Sequence, residues 1–189
     1  QVEIQSGIQF YDGITTAEIQ EILIKSASDL IDLEHPNYQF VAARLLLFSV
    51  RKSLYGRSRE LPELEDHIVK CVSQEVYDGD IYSKYSKEDI EKANGYIDHN
   101  RDFLFTYAGL RQVVDKYLVQ DRSTGQVYET PQFMYMMIAL TIFAEYPKET
   151  RLNYVRRYYD AISRHRINIP TPIMAGVRTP IRQFASCVL

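Results

Sequence analysis

The sequence predicts a mainly α-helical protein with one β-hairpin and a β-rich C-terminal end. Apolar residues recur at helical spacing over most of the chain, and several of these runs begin with an N-capping residue. Residues 118–128 change to a different period around the turn Ser123-Thr124-Gly125, which is typical of a hairpin. After Ile167, prolines at positions 170, 172 and 180 separate short pieces of chain that we expect to be extended.

Two helices are predicted in the N-terminal part of the chain. Thr15 and Glu18 have the spacing of a capping box, and the apolar pattern behind them predicts a helix to about residue 33. A His-Pro pair interrupts it. The second helix is predicted over 37–55 and closes at Gly56. Because it is apolar on most sides, we expect it to lie at the centre of a helical bundle.

The rest of the chain is expected to be helical up to residue 165, apart from the hairpin. Thr130 is the expected N-cap of the most apolar helix, with Pro131 at its first position. Asp98 is the expected cap of the polar run Asp98-His99-Asn100-Arg101, which could alternatively be catalytic. The predicted helices lie at about 62–76, after the capping residue Ser86, at 98–117, from Thr130 to about 146, and at 148–165.

The composition is that of a globular protein of about one domain. Its 189 residues are 46% apolar and 25% charged, which excludes a disordered, collagen-like or disulfide-rich chain. A net charge of −3 argues against nucleic-acid binding through a general basic field. Two cysteines, no signal-peptide pattern and no bilayer-spanning apolar run predict a cytoplasmic protein. The missing initiator Met and the apolar last residues lead us to expect a piece of a longer protein.

Most side chains that could carry chemistry also have a structural interpretation. The four histidines show no metal-ligand spacing, and the glycines are too scattered for a phosphate-binding loop. The Arg- and Tyr-rich helix near 151–164 fits a solvated face or a subunit interface, and it could also stack nucleic-acid bases. Cys71 lies on a helical pattern and is expected to be a small buried hydrophobe.

Cys187 differs because of the run that precedes it. That run reads Pro170-Thr171-Pro172-Ile173-Met174-Ala175-Gly176-Val177-Arg178-Thr179-Pro180-Ile181-Arg182-Gln183-Phe184-Ala185-Ser186-Cys187. Without a gap, it resembles the start of the catalytic barrel in the large (α) subunit of class I ribonucleotide reductases, with viral and enterobacterial members most similar. Only Ala185 departs from the usual Ser. The resemblance extends to the upstream segments 8–13, 38–44, 116–119, 124–133 and 149–152.

The resemblance implies a division of the chain into three parts. Residues 1–56 resemble the end of an ATP-cone, the regulatory module of that family. Residues 57–166 resemble its helical N-terminal region, including the hairpin near 117–128. Residues 167–189 resemble the start of the catalytic domain and imply the first strand of a ten-stranded α/β barrel.

The resemblance also implies a reaction and roles for three residues. In that family the large subunit reduces ribonucleoside diphosphates: a thiyl radical removes the 3′ hydrogen of the ribose, and a cysteine pair supplies the reducing equivalents. Cys187 aligns with the first cysteine of this pair, whose partner would lie outside the chain. Thr171 and Ser186 align with positions that contact the diphosphate and ribose of the substrate.

An allosteric site for ATP or dATP is implied at the N-terminal end. Thr16 and Lys52 align with positions that contact the effector nucleotide. Gln20 and Ser49 stand where some members of the family have His. The opening strands of the cone would precede Gln1, so the regulatory site in this chain is expected to be incomplete.

Several partners are implied in the same way. They are the remainder of the large subunit, a second large subunit, a radical-generating small (β) subunit that holds the metal, and thioredoxin or glutaredoxin as reductant. We expect no metal in this chain and no membrane or nucleic-acid partner. We expect the large-subunit dimer to pack through helices near 131–165, with Arg156 and Arg157 at its contact. The radical cysteine is expected beyond Leu189, so the chain alone should be inactive. The alternative is a non-catalytic helical interaction module with Cys187 in its core.

Overall fold

The computed structural model describes residues 1–56 and 60–185, so Ser186 and Cys187 lie outside the described residues. A 3₁₀ helix, His99–Leu104, precedes α7, and a π-helical turn, Val113–Tyr117, continues it. None of the helices in the described ranges is long and apolar enough to cross a bilayer. The α-helices are α1 (Val2–Gly7), α2 (Thr16–Ser28), α3 (Tyr38–Tyr55), α4 (Leu64–Ser73), α5 (Ile81–Lys84), α6 (Lys87–Asn94), α7 (Tyr107–Gln112), α8 (Pro131–Ile142), α9 (Lys148–Ser163) and α10 (Thr171–Gly176).

The predicted capping box of α2 is confirmed. The Oγ1 atom of Thr15 accepts a hydrogen bond from the backbone N of Glu18 at 3.2 Å, and Glu18 Oε2 accepts one from the backbone N of Thr15 at 2.8 Å. The helix ends at Ser28, five positions before the predicted end near residue 33. Residues 32–35, the last two of which follow the predicted end, form an Asx-type turn instead, in which Asp32 Oδ1 accepts hydrogen bonds from the backbone N of Glu34 and His35.

Helix α3 has the central position that its apolar sequence predicts. It packs against α2 on one side and α7 on the other, and it ends at Gly56, whose φ of 67° only glycine adopts without strain. Gln20 Nε2 donates a hydrogen bond to Leu45 O at 3.2 Å. Gln20 lies eight residues before the end of α2 and Leu45 seven residues after the start of α3, so the bonded positions are nearly equally far from the segment that connects the two helices, as in an antiparallel helix pair.

The single helix predicted over 98–117 is wrong, because a break at Phe105 and Thr106 interrupts it. Asp98 does cap its start, with Oδ1 accepting from the backbone N of Asn100 at 3.1 Å, but the helix formed there is a short 3₁₀ helix. Phe105 then has an extended backbone, and Thr106 begins α7 by accepting from the backbone N of Gly109 at 3.3 Å. A second N-cap inside the predicted helix therefore restarts it.

Helix α8 lies at the centre of the core. Its residues Pro131–Leu140 are all buried, and Thr130 and Pro131 occupy the predicted N-cap and first positions. The Thr130 hydroxyl makes no capping bond and is buried without a hydrogen-bond partner. Buried side chains form one continuous cluster from Ile24 in α2 to Met174 in α10. The three-part division of the chain remains a prediction.

The β-structure predicted from the sequence is largely missing from the described residues. The hairpin is reduced to one antiparallel bridge between Gln120 and Val127, and no strand forms in residues 1–56 or 60–185. The extended conformation predicted after residue 167 is wrong over Thr171–Gly176, which is α10. Pro172 lies in its first turn, where the missing N–H would have no partner, so proline starts this helix instead of breaking it.

Candidate functional site

Among the residues predicted to contact substrate, the structure describes Thr171. It is the first residue of α10 and its side chain is exposed. Ser186 and Cys187 lie outside the described residues, so the structure shows the chain that leads to them up to Ala185. The candidate site is therefore described through α10 and the contacts that fix its position.

The two predicted effector contacts lie at the same end of the antiparallel α2–α3 pair. Thr16 is the exposed first residue of α2, and Lys52 is a half-buried residue in the last turn of α3. Gln20 is buried, and its amide is used by the hydrogen bond to the carbonyl of Leu45. It therefore joins the two helices, and Ser49 is half-buried nearby on α3.

A fully buried ion pair anchors the chain that follows α10. Arg178 and Glu129 have no exposed side-chain surface. Arg178 Nε donates to Glu129 Oε2 at 2.9 Å and to Oε1 at 3.2 Å, and its NH2 group also donates to Oε1. Burial by itself would lower the pKa of Arg178, but the neighbouring carboxylate of Glu129 shifts it upward overall. The guanidinium is therefore held in its charged form.

The same two side chains also bind the backbone of their surroundings. Arg178 NH1 donates to Met174 O at 2.6 Å, inside α10, and Arg178 NH2 donates to Tyr117 O at 2.9 Å, at the end of the π-helical turn. Glu129 Oε1 accepts from the backbone N of Val119 at 2.6 Å. Three chain segments thus meet at one ion pair, and its donors and acceptors are matched.

Tyr77, His67 and Cys71 extend this buried cluster towards α4. The hydroxyl of Tyr77 donates to Glu129 Oε2, and His67 Nε2 lies 3.1 Å from the Tyr77 oxygen. Cys71 Sγ lies 3.7 Å from His67 Nε2, a helical i to i+4 contact that the sequence reading of His and Cys spacing overlooked. Burial lowers the pKa of His67 to about 4 and raises the pKa of Cys71 to about 12. Near neutral pH they form a neutral imidazole and a protonated thiol, which is not a nucleophilic pair.

A second buried cluster joins α3, the 3₁₀ helix, α8 and α9. Arg51 NH2 donates to Asp102 Oδ2 at 2.8 Å, and Gln132 Nε2 donates to Asp102 Oδ1 at 2.9 Å. The Tyr159 hydroxyl donates to Gln132 Oε1 at 2.7 Å. Burial raises the pKa of Asp102, although the hydrogen bonds from Arg51 and Gln132 favour its charged form. This cluster fixes the packing of four helices and contains no residue of the predicted site.

A groove of about 410 Å³ lies beside α10. Pro172, Ala175 and Gly176 form its α10 side, and Lys116 and Leu118 are among the residues on the opposite side. Thr171 does not line this groove, so the groove does not coincide with the predicted substrate contact. Within the described ranges, no group of three or more His, Cys, Asp or Glu side chains could hold a metal ion.

The structure changes the basis of the predicted dimer contact. The apolar side chains of α8 are buried inside this chain over Pro131–Leu140, so they no longer indicate a subunit interface. On α9, Arg156 lies over the ring of Tyr96 at 5.3 Å, and Arg157 is exposed. The exposed face of α9 is the part of the predicted interface that the structure leaves on the surface. The contact through Arg156 and Arg157 remains a prediction.

Sequence reasoning missed the residues that fix the position of α10. Arg178 and Glu129 both lie inside the runs that carry the resemblance, but they are 49 positions apart. The available signal was the single charge of the run 124–133, Glu129, and the two arginines of the run 170–187, Arg178 and Arg182, since buried charges are generally paired. Nothing in the local pattern indicated that Tyr77 would join them.

Comparisons with known proteins agree with this description. Residues 103–182 match the family described as "Ribonucleotide reductase, all-alpha domain". The whole chain is 52% identical, over 189 residues, to ribonucleoside-diphosphate reductase 1 subunit alpha of Escherichia coli K12, and covers 25% of that protein. It is 49% identical to the alpha subunit of Enterobacteria phage T4 over 99% of this chain and 25% of the relative. The Helicobacter pylori alpha subunit is 32% identical over 190 residues, with 23% of its length covered.

These relatives share one name although they come from distant bacteria and from a phage. The chain spans about a quarter of the length of the curated relatives it matches. Its described part is mainly helical, as the matched all-alpha domain requires. The chain is therefore similar, over its whole length, to a segment that makes up about a quarter of the ribonucleoside-diphosphate reductase alpha subunits, and its residues 103–182 match the all-alpha domain of ribonucleotide reductases.

Proposed function

We propose that this chain is the N-terminal part of a large subunit that reduces ribonucleoside diphosphates to deoxyribonucleoside diphosphates, and that it supplies one half of the reducing cysteine pair. The observation that carries this proposal is 52% identity to a named reductase subunit over all 189 residues. The buried Glu129–Arg178 pair supports it, because that pair ties the start of the 170–187 run to the helical core. The remainder of the large subunit completes the site.

The residues of this chain have limited and definite tasks in that reaction. The Cys187 thiol and its partner cysteine, on the remainder of the subunit, together give two electrons and two protons. The substrate loses its 2′ hydroxyl as water, and the two thiols become a disulfide that thioredoxin or glutaredoxin reduces by exchange. Thr171 and Ser186 donate hydroxyl hydrogen bonds to the diphosphate and ribose oxygens, which orients the sugar towards Cys187. The metal-containing small subunit supplies the radical.

Regulation and assembly follow from the same proposal. ATP and dATP bind at the end of the α2–α3 pair that carries Thr16 and Lys52, in an ATP-cone only part of which belongs to residues 1–56. The antiparallel packing that places these two residues at one end supports this assignment. Two large subunits form a dimer, and the enzyme is cytoplasmic, as the two cysteines predict.

The test is a serine substitution at the proposed redox cysteine. In the complete large subunit carrying this sequence, assayed with its small subunit and a dithiol reductant, Cys187→Ser should abolish turnover of a ribonucleoside diphosphate. The serine hydroxyl cannot form the disulfide, so the reducing equivalents are lost. The measurement is deoxyribonucleotide formed per subunit over many turnovers.

The matched control is Cys71→Ala, which removes the other thiol of this chain. Cys71 is buried on α4 away from solvent, so the control should keep turnover within about threefold of the unmodified subunit. If Cys187→Ser turns over as fast as the control, the redox assignment is wrong. In an interaction module with Cys187 in its core, the same change would instead lower the free energy of unfolding by about 1–3 kcal/mol.

A further inference from the structure

We infer that Arg178 and Glu129 are positioning residues of the proposed reaction: their buried ion pair sets the location of α10, and so of Thr171 and the chain leading to Cys187. This inference rests on the proposed function. The inference goes beyond the proposed function, because it assigns the placement of the segment that carries Thr171 to two fully buried residues with no predicted contact to the substrate.

The first argument is where the anchoring contacts lie. α10 is only six residues long, and its first residue, Thr171, is exposed. A helix this short has little stability of its own and depends on tertiary contacts. Arg178 NH1 supplies one by donating to Met174 O at 2.6 Å, which binds the helix directly to the ion pair.

The second argument is that the described residues after Arg178, which end at Ala185, provide no other fully buried side chain. Arg178 and Thr179 are buried, whereas every described residue from Pro180 to Ala185 is exposed. The side chain of Arg182 pairs with Asp78, but it is 64% exposed, and pairs of that kind contribute little. Arg178 is therefore the last fully buried side chain before Cys187 in the described residues, nine positions ahead of it.

The third argument is that the pair is held from several directions. Glu129 is fixed by the backbone N of Val119 and by the Tyr77 hydroxyl, and the carbonyl of Arg178 accepts from the backbone N of Asp78 at 3.0 Å. The guanidinium forks across both carboxylate oxygens and also reaches two backbone carbonyls. A lysine ammonium keeps the charge but cannot make this planar set of contacts.

The decisive variant is Arg178→Lys in the complete large subunit carrying this sequence. Its control is Arg151→Lys, because Arg151 is also buried, pairs with Asp89 at 2.6 Å and lies over the ring of Tyr85 at 4.1 Å, on α9 and away from α10. Binding of a ribonucleoside diphosphate is measured by equilibrium dialysis, without the small subunit, at a temperature where circular dichroism shows both variants folded. Turnover is measured separately with the small subunit.

We expect the dissociation constant of the diphosphate to rise at least tenfold in Arg178→Lys and kcat to fall as well. Arg151→Lys should stay within twofold of the unmodified subunit in both. A merely structural role would lower the melting temperature of both variants and leave substrate binding unchanged. Equal binding and turnover in the two lysine variants would therefore overturn the inference.

If Arg178→Lys does not fold, a milder substitution tests the positioning role of the ion pair. Tyr77→Phe removes one hydrogen bond from Glu129 and leaves the volume of the side chain almost unchanged. It should weaken diphosphate binding two- to fivefold, and unchanged binding in this variant would overturn the inference. Failure of the proposed function is recognised separately, because the unmodified subunit itself would then neither bind nor reduce the diphosphate.

Discussion

The first 37 residues and the core around α8 are built in different ways. In the N-terminal part, apolar side chains face solvent: Ile8 is 81% exposed and Leu33 fully exposed. Around α8, the side chains of ten consecutive residues are buried, and two clusters of charged and polar groups are buried with them. The first region joins the core along one side of α2, through Ile24 and the packing on α3, whereas α8 is enclosed by contacts with distant parts of the chain on all sides.

The difference shows where the stability of the described part lies. Burial of apolar surface stabilises the region around α8, and each buried charge there has a partner that offsets its desolvation. In the first region the capping box and the Asp32 turn define the chain path within a few residues. Substitutions in the two regions should therefore differ in size and in the kind of effect.

The largest contrast is expected between Phe133→Ala and Leu33→Ala. Phe133 is completely buried and stacks on His67 with ring centroids 4.1 Å apart, so its loss leaves a cavity. We expect the free energy of unfolding to fall by about 3–5 kcal/mol for Phe133→Ala and by no more than about 0.5 kcal/mol for Leu33→Ala. Denaturant unfolding of the purified chain measures both. Similar losses in the two variants would contradict the conclusion that the region around α8 contributes more to the stability than the first 37 residues.

A pH effect of intermediate size should come from the buried histidines. Burial lowers the pKa of His67 and His99 to about 4, from 6.5 in the unfolded chain, so the unfolded chain binds more protons between these values. Stability should therefore fall as the pH drops below about 6.5, by about 2 kcal/mol for each histidine at pH 5. Thermal unfolding between pH 7 and pH 5 measures the slope.

The control for the pH effect is His35, which is exposed in the first region. His67→Gln should reduce the slope of stability against pH, whereas His35→Gln should leave it nearly unchanged. The slope is the readout because His67→Gln also changes packing against Phe133 and thus the absolute stability. An undiminished slope in His67→Gln would show that other groups cause the acid sensitivity.

The smallest expected effect is the loss of the capping box in the first region. Thr15→Ala removes the Oγ1 acceptor of the Glu18 backbone N and should lower the free energy of unfolding by about 1 kcal/mol. Thr16→Ala is the neighbouring control, since Thr16 lies inside the helix and is exposed. Amide hydrogen exchange in the first turn of α2 should rise in Thr15→Ala alone.

The parts of the fold that depend on local signals were predictable. Capping at Thr15, Ser86 and Asp98, and the start of α8 after Thr130, are confirmed because neighbouring residues in the sequence decide them. The break at Phe105 is not predicted, because it depends on Thr106 acting as a second N-cap inside a continuous helical pattern. The helical state of Thr171–Gly176 is not predicted, because a proline pattern that is typical of extended chain also fits the first turn of a helix.

The candidate site was less predictable for a physical reason. The roles of Thr171, Ser186 and Cys187 came from a resemblance of sequence runs, which says nothing about what fixes those runs in space. The Glu129–Arg178 pair forms only when α10 packs against the residues before α8, and no pattern within a few residues encodes such a contact. Glu129 and Arg178 both lie in runs that carry the resemblance, but the sequence does not indicate that they pair.

The burial of Cys71 determines whether this thiol can take part in thiol–disulfide exchange with other cysteines. Burial raises the pKa of the Cys71 thiol to about 12, so the thiol is protonated at pH 7. Exchange with a disulfide needs a thiolate that can reach the sulfur it attacks, and Cys71 is fully enclosed among α4 and its neighbours. If Cys187 is oxidised in each reaction cycle, the buried thiol of Cys71 does not exchange with its disulfide. Reducing equivalents from the external dithiol then reach the disulfide of Cys187 without a mispaired bond to Cys71.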